Sequence, residues 1–139
     1  MPQPKNKTDS GPNQKVLNIL QKSDKPLTAY QILEKMKRFG VSGPPTVYRA
    51  LQKLIKTGAV HRIEILNAFI ACRTTDEGHH HHTHSFAVCR SCGDVNEICN
   101  DNIDKIVSNW SKTASFIVEK AMMEILGLCA KCAPKKARA

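Results

Sequence analysis

Six cysteines and six histidines are the residues of this chain best equipped for chemistry, and most of them are clustered. Cys89-Arg-Ser-Cys92 and Cys129-Ala-Lys-Cys132 are two pairs of identical spacing, separated by 36 residues. A CxxC turn lets two thiolates face one ion, and two such turns complete a tetrahedral shell. Gly93 after the first pair and Gly127 before the second let the chain bend around that ion. Four soft ligands select zinc in a closed, structural site. A thioredoxin-type redox pair needs one CxxC at a helix start and leaves the second pair unexplained. The four-cysteine clamp ties the first hairpin of the second half to the end of the chain. That helps a half of only about 60 residues to fold.

Five of the histidines fall in the tract His79-His80-His81-His82-Thr83-His84, and the sixth is His61. On composition alone the tract reads as a solvated, loosely metal-binding segment. Its company suggests more. His61 and Cys72 fall on the two strands of a predicted hairpin, and Glu97 on the strand after the first clamp pair. With one tract histidine they offer two nitrogens, one sulfur and one oxygen, a set that suits a second zinc ion. Ligands drawn from both halves would make metal binding a switch by population shift.

The elements that must position these groups follow from periodicity. Residues 14–22 carry Val16, Leu17, Ile19 and Leu20 on one helical face. Thr28-Ala-Tyr-Gln31 has the form of a capping box and opens a second helix with Ala29, Ile32, Leu33 and Met36 on its apolar side. Gly43-Pro44-Pro45 starts a third, whose stripe is Val47, Ala50, Leu51, Leu54 and Ile55. Residues 60–66 and 68–73, broken at Asn67, predict a hairpin. Three helices followed by a hairpin is the order of a winged helix-turn-helix. Residues 86–90 and 94–99 predict two short strands, and Asp101 caps a helix with Ile103, Ile106, Val107 and Trp110 on one face. Residues 115–126 predict a longer strand with imperfect alternation.

Charge is segregated along the chain. Residues 1–75 carry 13 Lys/Arg against 4 Asp/Glu, whereas residues 76–139 carry 8 of each. The whole net charge of +9 therefore sits in the front half, where a polyanion such as double-stranded DNA is the natural partner. No apolar run approaches the roughly 18 residues of a membrane span. The polar start of the chain lacks the apolar core of a secretory signal, so a cytoplasmic location is expected, with cysteines as thiols or metal ligands.

Taken together, the segment Pro44-Pro-Thr-Val-Tyr-Arg-Ala-Leu51, the basic front half, the histidine-rich tract, Cys89-Arg-Ser-Cys-Gly93 and Gly127-Leu-Cys-Ala-Lys-Cys132 resemble the ferric uptake regulator family over about residues 14–132. Within that family the pattern is most similar to the zinc-sensing branch, whose regulatory zinc ligands fall here on His61, Cys72, His82 and Glu97. The resemblance implies a homodimer that binds a palindromic, AT-rich operator when zinc is abundant and represses zinc-uptake genes. It implies two zinc ions per subunit, one structural and one regulatory. It also implies Tyr48 and Arg49 as DNA contacts, which fits the ability of arginine to read guanine edges and of tyrosine to meet a thymine methyl or a phosphate. Many members of the family carry an additional metal site, for which His80 and His84 are candidates. Lys120 and Leu126 stand where that site often has histidine.

The expected fold is therefore α+β: a polar lead-in at 1–12, a winged-helix domain at 13–74, a histidine-rich hinge at 75–85, a small α/β dimerisation domain at 86–132 and a basic tail at 133–139. Competing readings are a family member sensing iron, manganese or peroxide, a zinc enzyme, and a zinc chaperone. Iron and manganese favour nitrogen and oxygen over the soft sulfur of Cys72. The HExxH and deaminase signatures are absent, and a closed four-thiolate site has no position for water, so neither an enzyme nor a small-molecule substrate is expected. A chaperone has no use for a basic winged helix.

Overall fold

The computed structural model describes residues 11–72 and 83–134. The chain divides into two compact units, Met1–Arg73 and Thr74–Ala139. In the first, helices α1 (Pro12–Lys22), α2 (Ala29–Met36) and α3 (Pro44–Lys56) precede strands β1 (Val60–Ile63) and β2 (Ala68–Ala71). The apolar stripes meet in one core. Val16 and Leu20 of α1, Ile32 and Met36 of α2, and Val47, Ala50 and Leu51 of α3 are all buried. Helix α2 begins as its sequence dictates. The Thr28 hydroxyl accepts from the Gln31 amide (3.2 Å), and the Gln31 side chain accepts from the Thr28 amide (2.9 Å). The reciprocal pair satisfies two orphan donors at the helix start. Pro44 opens α3, where a missing N–H costs nothing.

Strands β1 and β2 pair antiparallel, Val60 opposite Ala71 and Ile63 opposite Ala68. Asn67 turns the hairpin at φ 46°, a left-handed conformation that asparagine tolerates. A third partner joins them without any local signal in the sequence. Leu27 exchanges both backbone bonds with Phe69 (2.9 and 2.8 Å), so the residue before the α2 cap adds itself to the wing sheet.

The second unit contains β3 (Thr83–Cys89), β4 (Val95–Glu97), α4 (Asp101–Ala114) and β5 (Ala121–Gly127), in the sheet order β4-β3-β5. Strand β3 is antiparallel to β4 and parallel to β5, and α4 lies in the connection between β4 and β5. Four details depart from expectation. Helix α4 is capped not by Asp101 but by Asn100, whose side chain accepts from the Asn102 amide (2.9 Å). Strand β3 starts at Thr83, inside the segment 75–85 expected to be a hinge. Parallel pairing with Ala121 and a 3.0 Å bond from the Thr83 amide to Asp104 extend it. The strand expected at 115–126 starts only at Ala121. Ser115 ends α4 at φ 51°, the Ser111 hydroxyl donates to the Phe116 carbonyl, and the Phe116 ring rests on Trp110 at 5.1 Å. That packing holds Phe116 against the helix end. Helix α4 also buries none of its residues: Ile106 and Trp110 are 69% and 54% exposed.

Urea unfolding should separate these local contributions. Met36→Ala, at a fully buried position, should cost about 2–5 kcal/mol. Thr28→Ala, which removes the cap, should cost about 1 kcal/mol. Equal losses would mean that the capping box carries more of the first unit than its geometry implies.

Candidate functional site

Strand register brings the two CxxC turns together. Cys89 ends β3 opposite Gly127 at the end of β5, so parallel pairing delivers both turns to the same end of the sheet. The Arg90 amide bonds the Gly127 carbonyl (2.9 Å) and closes that end. The first turn is fixed by the Gly93 amide on the Cys89 carbonyl (2.9 Å), with Gly93 at φ 77°, where a side chain would be strained. The second is fixed by the amides of Cys132 and Ala133 on the Cys129 carbonyl (3.0 and 2.8 Å).

The four sulfurs lie within 4.8 Å of one another, with Cys92 and Cys129 separated by 3.8 Å. A tetrahedron with metal–sulfur arms of about 2.3 Å has edges of about 3.8 Å, so the donors fit zinc without large rearrangement. The same separation is far beyond a disulfide bond of about 2.05 Å, and none of the six cysteines is in a disulfide. Protonation is divided unevenly among the sulfurs. The backbone N–H of Cys129, 3.4 Å from Cys89 Sγ, together with the amides of Cys92 and Ser91, lowers Cys89 to about 6. The Asp94 amide pulls Cys92 down, yet burial and the adjacent thiols push it up to about 12. The Ser91 side chain lowers Cys132, but the Cys129 thiol and burial outweigh it and raise the group. One thiolate is favoured and further ones are opposed, as expected where negative charges crowd without a cation. A divalent ion removes that opposition.

Of the residues expected to hold a second ion, His61 and Cys72 belong to the first unit and Glu97 to the second. In the wing, His61 is 6% exposed and sits opposite Ile70. Cys72 is two residues beyond Ile70 and bonds Ala59 through its amide (2.8 Å), so strand alternation puts it on the face of His61. In the second unit, Glu97 sits opposite Phe86. His84, two residues before Phe86, shares its face of the sheet, and a ring nitrogen of His84 and a carboxylate oxygen of Glu97 lie within 4.8 Å. His80, His81 and His82 lie outside the described residues. The His84–Glu97 pair has no signal in the sequence, because a strand expected to start at residue 86 puts His84 on no defined face.

A second surface belongs to the first unit alone. With Val47, Ala50, Leu51 and Leu54 turned inward, α3 exposes Tyr48 and Arg49, and its sequence contains no acidic residue. Beside it, Thr28, Tyr30, Tyr48, Gln52, Arg62 and Asn67 are among the residues lining an open cleft of about 460 Å³. The Arg62 guanidinium donates to Asn67 Oδ1 (2.9 Å), so the turn of the wing holds a cation at the cleft. Glu64 stands 3.7 Å from the same group. Tyr30 is 70% exposed. Its signal in the sequence is an aromatic residue off the apolar stripe of α2.

The chain is similar to proteins of one known family. Residues 8–126 match the ferric uptake regulator family. The zinc uptake regulation protein of Escherichia coli (strain K12) is 32% identical over 118 residues, which cover 84% of this chain and 68% of that one. A zinc uptake regulator solved in complex with zinc and DNA is 30% identical, with a TM-score of 0.77, over 86% of this chain and 79% of its own. The structure of holo XcZur is 32% identical, with a TM-score of 0.75, over 86% and 82%. A match to the family over most of its length, on an α+β fold of winged helix and small mixed sheet, means that this chain belongs to the ferric uptake regulator family.

Proposed function

We propose that the protein is a zinc-responsive, dimeric transcriptional repressor that binds operator DNA when zinc is abundant and controls zinc-uptake genes. The observation that carries the reading is its likeness, in sequence and fold, to a regulator solved with zinc and DNA together. The cysteine cluster and the basic α3 are the two parts such a protein needs. A cytoplasmic location follows from this role. Among the described residues, no helix is long and apolar enough to cross a membrane.

The protein's own residues divide the work. Cys89, Cys92, Cys129 and Cys132 hold one zinc ion, whose positive charge lets four thiolates coexist. Because a closed four-sulfur shell has no place for water, its role is structural rather than catalytic. His61, Cys72, Glu97 and a tract histidine hold the regulatory ion. His82 is the choice from the resemblance, and the closeness of His84 to Glu97, within 4.8 Å, favours His84 for that place or for an additional site with His80. Sulfur in this set favours zinc over iron or manganese. Tyr48 and Arg49 enter the major groove, with two half-sites about one turn apart matching a two-fold dimer.

The dimer is supported by what the second unit leaves uncovered. Strand β5 is seven residues long and, among the described residues, pairs only with β3. Ile106, Trp110, Phe116, Ile117, Ile125 and Leu126 are between 47% and 87% exposed. Large apolar surface of this kind beside an open strand edge marks an interface.

A gel-shift titration against free zinc, with zinc counted per subunit, tests the reading. Two zinc ions per subunit and zinc-dependent retardation are expected. Zinc-independent binding would overturn it. Cys89→Ser should destabilise the second unit and lose the tightly held ion. Glu97→Ala and His84→Ala should keep a folded dimer that binds one zinc fewer and no longer responds in the shift assay. Trp110→Glu should shift the mass measured by light scattering from dimer to monomer.

A further inference from the structure

The amino-terminal unit carries a cationic feature outside the α3 surface. Phe39, 42% exposed, closes a short 3-10 turn, Lys37–Phe39, between α2 and α3. Gly40 follows it in a left-handed conformation, φ 79°, which sharply ends the turn. Two cations lie over the ring. The Lys15 ammonium, from α1, is 5.1 Å from the centroid, and the Arg38 guanidinium is 4.9 Å from it. Attraction to an aromatic face can hold each of them there. Neither charge is balanced by an acid: among the described residues neither forms an ion pair. The nearby Glu34 is engaged with Lys37 (2.6 Å). Both cations also lie in the half of the chain that carries the whole positive excess.

We propose that Lys15, Phe39 and Arg38 form a contact for the phosphate backbone of DNA, separate from the groove-reading residues of α3. It rests on the DNA-binding reading and adds an anchor to it. An aromatic ring that gathers two cations from different elements, with no carboxylate paired to either, is organised to receive an anion. A DNA strand supplies a row of phosphates at fixed spacing, so two donors held by one ring can engage one phosphate or two neighbours. Contacts of this kind fix the register of the protein on the duplex and carry no base information. Phe39 acts as a positioning residue, holding charges that would otherwise point into solvent.

The test uses the full zinc-loaded chain and a labelled short duplex of arbitrary sequence, because a phosphate contact is independent of sequence. Each phosphate that is no longer neutralised reduces the slope of log affinity against log salt by about 0.9. Lys15→Ala with Arg38→Ala should therefore flatten the slope by about 1.8 per subunit if each engages its own phosphate, and by about 0.9 if they share one. Phe39→Leu keeps both charges and should weaken binding several-fold at low salt, with unchanged thermal unfolding. Lys120→Ala, which removes one positive charge from the second unit, should leave the slope unaltered. A wild-type slope retained by the double variant would overturn the proposal while leaving the DNA-binding reading intact. Wild-type protein that binds no duplex at all would overturn both.

Discussion

Four sulfurs gathered within 4.8 Å are the constraint on which the second unit depends. Their meeting is a consequence of parallel strand pairing: with Cys89 opposite Gly127, the two CxxC turns have nowhere to go but the same end of the sheet. The meeting is costly without a cation. Cys89 can ionise readily because backbone amides point at its sulfur, but each further thiolate would be formed beside it, and Cys92 and Cys132 are driven upward. A divalent ion would convert that conflict into four bonds and close the sheet at the same time. The sheet builds the site, and a filled site would secure the sheet, which is how metal affinity becomes folding free energy.

The first unit obeys a different logic. Its three helices bury one continuous apolar core, to which each contributes residues at helical spacing. The same half of the chain carries the positive excess. The α3 helix illustrates the division: four inward residues fix its position, and the outward residues Tyr48 and Arg49 are thereby presented on a rigid surface. Side chains carried on a packed helix rather than a loop lose less entropy if a ligand is bound.

Local signals made the first unit legible in the sequence. The Thr28–Gln31 capping box, the prolines before α3, and apolar residues at helical spacing each act within a few residues, and each appears where the pattern puts it. The cysteine spacing is legible for the same reason, since a CxxC turn is a local object. Long-range pairing is not. Nothing near Leu27 signals that it will join Phe69, and nothing near Thr83 signals that Ala121 will draw it into a strand. The late start of β5 follows from Phe116 resting on Trp110, a contact that alternation along residues 115–126 conceals. The cleft beside α3 escapes a sequence reading because Tyr30, Gln52 and Arg62 come together only when α2, α3 and the wing have packed.

The two units also differ in what their apolar residues accomplish within one chain. In the second unit, Phe86 and Val88 are buried on the central strand, but no residue of α4 is, and Ile106 and Trp110 are more than half exposed. Periodicity correctly marks that face as apolar and cannot specify what covers it. A small unit with so little side-chain burial would gain much of its stability from outside the single chain, through the proposed metal and a second copy. With the proposed zinc and second copy bound, folding, dimerisation and zinc loading of this half would be linked equilibria: whichever is favoured favours the others. The winged-helix unit, which holds its own core, can remain folded while that linkage shifts. A regulator of the proposed kind, built this way, would vary its grip on DNA by changing the state of one half, without unfolding the half that carries α3.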